Sequence, residues 1–337
     1  MKEFHIKSIE AGQRLDKYLS KLLDQAGKSF IYKMLRKKNI VLNDKKASGQ
    51  ETLCAGDQVK IYFSDETFDK FCNRTVFKES SDAKISESKK VKKADPKSIK
   101  QLQPTILYED SDILLLNKPV GMLSQKAAAS DYSANDFLID YMLASGQLSA
   151  DDLKTFRPSV CNRLDRNTSG ILIAGKSMKG LQTMGKMLKE RTMEKYYLCL
   201  VKGALETSSH LKGYLKKDAK TNKVTITAKK QSDADWIETA YEPLRITRKY
   251  TLLKVHLITG RSHQIRAHLA SIGHPILGDF KYGDPVANRQ LKQKTGIQSQ
   301  LLHAWQLVLP DGRAFMADPP ETFKQAETYL DRYERKD

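Results

Sequence analysis

The stretch NRLDRNTSGILIAGK, Asn162 to Lys176, decides the reading of this chain because it sets opposite charges directly beside a run fit only for burial. Ile171, Leu172, Ile173 and Ala174 predict a short strand buried on both faces. Upstream, Arg163, Asp165 and Arg166 surround a single apolar residue, and Asn167 to Gly170 supply a turn. A carboxylate held where a polar loop enters a buried strand sits in a low-dielectric place. Such a place suits chemistry and costs stability unless the charge is paired. Asp165 is therefore the first candidate for a catalytic group. The plain alternative is a loop ion pair with Arg163 or Arg166.

Working outward, the chain from Pro104 opens with TILYED and DILLLNKPVGML, two strand-like runs joined by a tight turn at Ser111 and Asp112. Phe137, Leu138, Tyr141 and Met142 mark a helix, and Met178, Leu181, Met184 and Leu188 mark another that runs up to Arg191. EKYYLCLVKG, TAYEPLRI and YTLLKVHLI read as further strands. Strands dominate and helices decorate them, so the class expected is α+β with a mixed or antiparallel central sheet. GILIAGKS, Gly170 to Ser177, formally matches the phosphate loop of nucleotide hydrolases. In a working phosphate loop the intervening residues form a turn after a strand, whereas here they would be the strand.

Nearer the start, Leu15, Tyr18, Leu19, Leu22 and Leu23 recur at helical spacing. A second helix is expected from about Ser29, with the Ser29 hydroxyl as its N-cap. Its Lys33, Arg36 and Lys37 fall on one outer face beside Tyr32. A small sheet follows, from NIVLNDKKAS and DQVKIYF. Residues 72 to 103 are rich in Ser and Lys and poor in apolar residues, the composition of a flexible linker. The organisation expected is thus 1–71, a linker at 72–103, and a larger domain at 104–337.

The formal charge of +18 points to a polyanionic partner. Residues 1 to 103 hold 23 Lys and Arg against 14 Asp and Glu, so half of the excess sits in under a third of the chain. No run approaches the roughly 18 apolar residues of a membrane span, and the amino terminus has no apolar signal core, which leads to the expectation of a cytoplasmic protein without a membrane partner. Cys54, Cys72, Cys161 and Cys199 form no CxxC pair and read as reduced thiols. His263 and His268 lie five apart with no Glu between them in HExxH order, so no metal is expected there.

Three segments together resemble a known family. RLDxxTSG around Asp165 resembles the active-site motif of the RluA family of pseudouridine synthases, with Asn162 where that family usually has His. KYYLCLVKG is similar to the family's K-x-Y-x-x-x-V-x-G pattern, in which Lys195, Val201 and Gly203 set the register on Tyr197. LITGRSHQIRAHLASIGHPILGD, Leu257 to Asp279, resembles its later motif, and LLNKPVGM an early one whose Lys-Pro pair shapes the cleft floor. The order of two helices and a small sheet over roughly Gly12 to Phe63 resembles the S-four type of RNA-binding domain.

The resemblance implies an RNA uridine isomerase with the pseudouridine synthase fold and a small RNA-binding domain at its amino terminus. It implies that Asp165 is catalytic, that Arg266 pairs with it, that Tyr197 packs on the base, and that Arg163 helps displace the base. Arg163, Lys33, Arg36 and Lys37 would bind RNA. The reaction exchanges one bond to the ribose for another, so no cofactor is expected, neither metal nor nucleotide, and a monomer acting on large-subunit ribosomal RNA is the expected form. The competing reading is a non-catalytic RNA-binding or ribosome-assembly factor that retains the synthase fold.

Overall fold

The computed structural model describes residues 1–72, 102–218 and 221–334, so the linker read at 72–103 lies almost wholly outside the described residues. The amino-terminal part contains β1 (Lys2–His5), α1 (Leu15–Leu22), α2 (Lys28–Arg36), β2 (Ile40–Leu42), β3 (Lys45–Lys46), β4 (Gln58–Ile61) and α3 (Asp65–Phe71). Its antiparallel sheet has the order β1-β4-β2-β3. The helical stripe of α1 and Ile31, Met34 and Leu35 of α2 bury against Ile40, Val59 and Ile61 in one cluster. That burial orients α2 so that Lys33, Arg36 and Lys37 stay exposed on the opposite side. Ser29 is not the N-cap. α2 starts one residue earlier at Lys28, behind Gly27 in extended backbone with no side-chain cap, a position glycine tolerates well.

This part rests on the remainder through polar contacts. Lys7 Nζ meets the Asp152 carboxylate at 2.7 Å, Lys21 Nζ donates to the Thr155 carbonyl, and the Met178 amide donates to the Ile9 carbonyl. Glu10 accepts a hydrogen bond from the Thr155 hydroxyl in the middle of this contact.

The remainder is built on an 11-stranded mixed sheet. Its strands are β5 (Thr105–Glu109), β6 (Ile113–Lys118), β7 (Ser159–Val160), β8 (Ser169–Gly175), β9 (Glu194–Lys202), β10 (Ser209–Lys217), β11 (Val224–Thr227), β12 (Ala234–Ile246), β13 (Tyr250–Leu257), β14 (Leu302–Val308) and β15 (Ala314–Met316). The main path runs β11-β10-β12-β13-β9-β14-β8-β6-β5. β14 and β8 pair in parallel while the other neighbours are antiparallel. Helices α4 (Ala134–Ala144), α5 (Met178–Glu190), α6 (Gln264–Ser271), α7 (Pro285–Thr295) and α8 (Glu321–Glu334) lie around it.

β8 is buried throughout, and alternation divides its side chains between two cores. Leu172 and Ala174 join the cluster of Leu116, Leu138, Tyr197 and Ile265, whereas Ile171 and Ile173 join that of Leu115, Met184 and Leu307. Truncating one such leucine to alanine costs about 2 to 5 kcal/mol. The strand is therefore a rigid base for the loop that enters it. At that entry Gly170 has φ +109°, and a Cβ there would collide with the Ala304 carbonyl of β14. Only glycine lets the parallel strand approach this closely.

The formal phosphate-loop match is strand. Lys176 turns its amine to the Glu109 carboxylate and the Asp110 carbonyl, and Ser177 caps α5 by accepting from the Gly180 amide. All four cysteines are free thiols. Among the described residues, no helix is long and apolar enough to cross a membrane, and no cluster of His, Cys, Asp or Glu is arranged to hold a metal.

Candidate active site

The loop before β8 is tied down residue by residue. Leu164 plugs into the core, its backbone amide donating to the Ser124 hydroxyl and its carbonyl accepting from it, both at 3.0 Å. The Arg166 carbonyl accepts from the Gly121 amide at 2.9 Å and from Lys118 Nζ at 3.1 Å. The Lys118 amine, wholly buried, also donates to the carbonyls of Pro119 and Met122. Burial pushes that amine down to about 7 against the opposing pull of Asp165. Asn162 accepts from the Ile173 amide at 2.8 Å, so its side chain pins the loop to the strand.

Between these anchors Asp165 projects into a cleft of about 710 Å³, lined also by Arg163, Tyr197, His263 and Arg266. That volume suits a nucleotide-sized ligand. The partner of Asp165 is neither Arg163 nor Arg166. Arg266 Nη1, from α6, reaches Asp165 Oδ2 at 2.6 Å. No protein group among the described residues bonds Oδ1, which leaves one carboxylate oxygen for a ligand.

Arg266 has a second partner that the reading of the sequence did not supply. Its Nε and Nη2 grip Asp279 in a two-pronged pair at 2.7 and 2.9 Å. Asp279 is fully buried and also accepts from the amides of Lys281 and Tyr282. Burial alone would raise its carboxyl, but the Arg266 hydrogen bonds and charge overcome that and hold it below the usual carboxylate range. Arg266 is in turn raised above its ordinary value, because the two carboxylates outweigh its own burial.

His263 is the other group that the sequence left unassigned. It stands at the N-cap of α6 in left-handed backbone, φ +56°, with Nε2 at 3.8 Å from Asp165 Oδ2 and Nδ1 at 2.9 Å from the Tyr282 hydroxyl. The Tyr282 oxygen also accepts from the Val224 amide, which ties the imidazole to β11 through one hydroxyl. Burial lowers the imidazole's affinity for a second proton, and Arg266 and Lys281 add to that effect while Asp165 opposes it.

Tyr197 lines the cleft from β9, with its ring buried in the main core and its hydroxyl free of any protein partner among the described residues. Burial and the charge of Asp165 raise the phenol, so it is a proton donor and not a base near neutral pH. Tyr196 points to the opposite face, where it stacks on His256 and donates to Glu194. Arg163 is exposed at the rim, and no residue among those described pairs with it. The structure thus brings Arg163, Asp165, Tyr197 and Arg266 to one cleft, while Lys33, Arg36 and Lys37 lie on the separate amino-terminal unit and line no part of it.

Residues 112–271, which hold Asp165, Tyr197 and Arg266, match the family model described as RNA pseudouridylate synthase. Ribosomal large subunit pseudouridine synthase C of Escherichia coli (strain K12) is 30% identical over 314 residues, covering 89% of this chain and 85% of that protein. The protein of the same name from Pasteurella multocida (strain Pm70) is 32% identical over 318 residues, covering 91% and 85%. Among solved structures, human RNA pseudouridylate synthase domain containing 4 superposes with a TM-score of 0.56 at 22% identity, covering 69% of this chain and 94% of that one, a likeness of fold. With a relative 30% identical over 89% of this chain, the chain belongs to the RNA pseudouridine synthases of the RluA family.

Proposed function

We propose that this protein isomerises specific uridines to pseudouridine in large-subunit ribosomal RNA, with Asp165 as the reacting carboxylate. The observation that carries the reading is the free Oδ1 of Asp165, in a cleft where Arg266 engages only Oδ2. The ribosomal substrate is supported by the names of the relatives that match most of the chain.

In the reaction the bond from ribose C1′ to base N1 breaks, the base turns, and C1′ bonds to C5. The proton on C5 leaves and N1 gains one, so atoms and electrons balance without an oxidant, a reductant or a transferred group. A stacked base cannot turn, so the nucleotide is flipped into the cleft and Arg163 takes the vacancy, a role supported by its exposure at the rim. Asp165 acts on the ribose through Oδ1, as a nucleophile at C1′ or as a base toward a neighbouring sugar proton. Arg266 fixes the carboxylate, and the Tyr197 ring packs on the base with its hydroxyl as a donor.

Residues 1–71 serve as the docking domain of the S-four type, and Lys33, Arg36 and Lys37 supply phosphate contacts. The chain acts as a monomer. The test is incubation of the purified protein with an unmodified transcript of large-subunit ribosomal RNA, followed by pseudouridine mapping. One or a few discrete sites are expected, and an RNA left unmodified while still bound would support the non-catalytic binding factor instead.

A further inference from the structure

Six cationic side chains line the cleft against a single carboxylate, Asp165, and their pairing is uneven. Arg266 is held by Asp165 and Asp279, Arg261 by Asp235 at 3.0 Å, and Arg166 donates to the Gly121 carbonyl. Arg163 has the role proposed above. Arg191 and Lys195 remain, and neither meets a hydrogen-bond or ion-pair partner among the described residues.

Their placement is built by the fold. Arg191 ends α5 in left-handed backbone at φ +58°, which turns the chain within a few residues into β9. Met193, between them, is buried among Ile173 and Met184 and anchors the turn. Lys195 lies two residues before Tyr197 on β9, so the two side chains share a face and stand about 7 Å apart along the strand. Burial and the charge of Arg191 both lower the Lys195 amine, and no carboxylate acts to offset them. A left-handed non-glycine residue and a partly buried amine with no carboxylate beside it both cost stability.

We propose that Arg191 and Lys195 bind a backbone phosphate of the RNA strand beside the uridine that stacks on Tyr197. Here the planar fork of an arginine and the point charge of a lysine converge on one wall, an arrangement suited to a phosphodiester. The separation of Lys195 from Tyr197 matches the reach from a base to a phosphate of its own or the adjoining nucleotide. The pair would hold the strand while the base leaves its stack, which makes it a determinant of substrate binding separate from Asp165.

This inference rests on the RNA substrate proposed above, and its test does not require turnover. The dissociation constant of the full chain for a large-subunit ribosomal RNA transcript is measured against salt concentration. Lys195→Gln and Arg191→Gln should each reduce the slope of log K against log salt by about 0.7, the amount for one single-strand phosphate contact. Each should weaken binding about tenfold at fixed salt, and Lys195→Arg should keep the wild-type slope. Thermal midpoints are read in parallel, and Arg191→Gln, at an exposed position, decides the matter alone should Lys195→Gln unfold. An unchanged slope in the folded variants overturns the phosphate assignment. A wild-type protein that binds this RNA without isomerising it would instead overturn the enzymatic reading and leave the slope comparison intact.

Discussion

Arg266 meets Asp165 at 2.6 Å across 101 residues of chain, and it can do so because Asp279 holds the other side of the same guanidinium. Asp279 takes Nε and Nη2 from within the core, which fixes the plane of the group and aims Nη1 at the cleft. One buried pair thus orients a second, half-exposed one.

The arrangement sets which substitution rescues which. Arg266→Met strands the fully buried Asp279 and should destabilise the fold by roughly 3 to 5 kcal/mol. Asp279→Asn added to Arg266→Met should recover much of that loss, whereas Asp165→Asn added to Arg266→Met should recover little, because Asp165 still reaches solvent. Chemical denaturation of the single and double variants gives the coupling directly. Equal rescue by both would show that the two carboxylates are equivalent partners.

The opposite faces of Tyr196 and Tyr197 give a second contrast. Tyr197→Phe keeps the ring on the base and removes a proton donor inside the cleft, so kcat should fall by about 10²-fold or more with RNA affinity nearly retained. Tyr196→Phe removes only a surface hydrogen bond to Glu194 and should leave turnover within a few-fold of wild type. Single-turnover kinetics at saturating enzyme separates the two steps. Greater damage from Tyr196→Phe would place the other face of β9 at the substrate.

Acid should weaken the fold before the carboxylates titrate. Burial holds the imidazoles of His268 and His303 down to about 4, against 6.5 for an unperturbed group. Between pH 6.5 and 4 the unfolded chain therefore binds more protons than the folded one, and stability falls as pH falls through that window. The slope is at most about 1.4 kcal/mol per pH unit for each histidine. Above pH 6.5 these two groups contribute no slope. His303→Gln keeps a donor toward the Ala317 carbonyl and should flatten the acid limb of a plot of thermal midpoint against pH.

How much of this was legible follows from the range of each interaction. β8 was readable because four consecutive apolar residues between a polar turn and Gly175 can only be interior, and the helical stripes of α1 and α5 repeat within single turns. Strand alternation puts Tyr196 and Tyr197 on opposite faces but does not say which face meets the cleft, and only the resemblance of KYYLCLVKG to the family pattern singled out Tyr197. The second carboxylate on Arg266 was not, since Asp279 reaches it only after the chain has left α6 and turned back. Its one signal was an acid directly behind the buried Ile276, Leu277 and Gly278. His263 was passed over for a related reason, because rejecting a metal pair says nothing about a single imidazole placed by Tyr282. The Ser29 cap failed because the helix already starts behind Gly27, which leaves Ser29 as its second residue and not at the cap.

The seat of the amino-terminal unit should be sensitive to one buried acid. Asp152 is pushed up by burial, but Lys7, the Ser149 hydroxyl and the Ser149 amide hold it below the usual range. Asp152→Ala removes all three contacts and should cost about 1 to 3 kcal/mol locally. Exchange of the Met178 amide, which donates to the Ile9 carbonyl across the contact, should then accelerate about tenfold or more. Unaltered exchange there would mean that the other polar contacts suffice to seat the unit.

The central claim is that the Asp165 carboxylate performs the chemistry. It is tested most directly by release of tritium from large-subunit ribosomal RNA labelled at C5 of uridine. Asp165→Asn keeps the shape of the side chain and removes its charge, so it should bind the labelled RNA as well as wild type or better, with a negative charge facing the phosphates gone. Tritium release by this variant should fall to background. Release at the wild-type rate would contradict the assignment of Asp165.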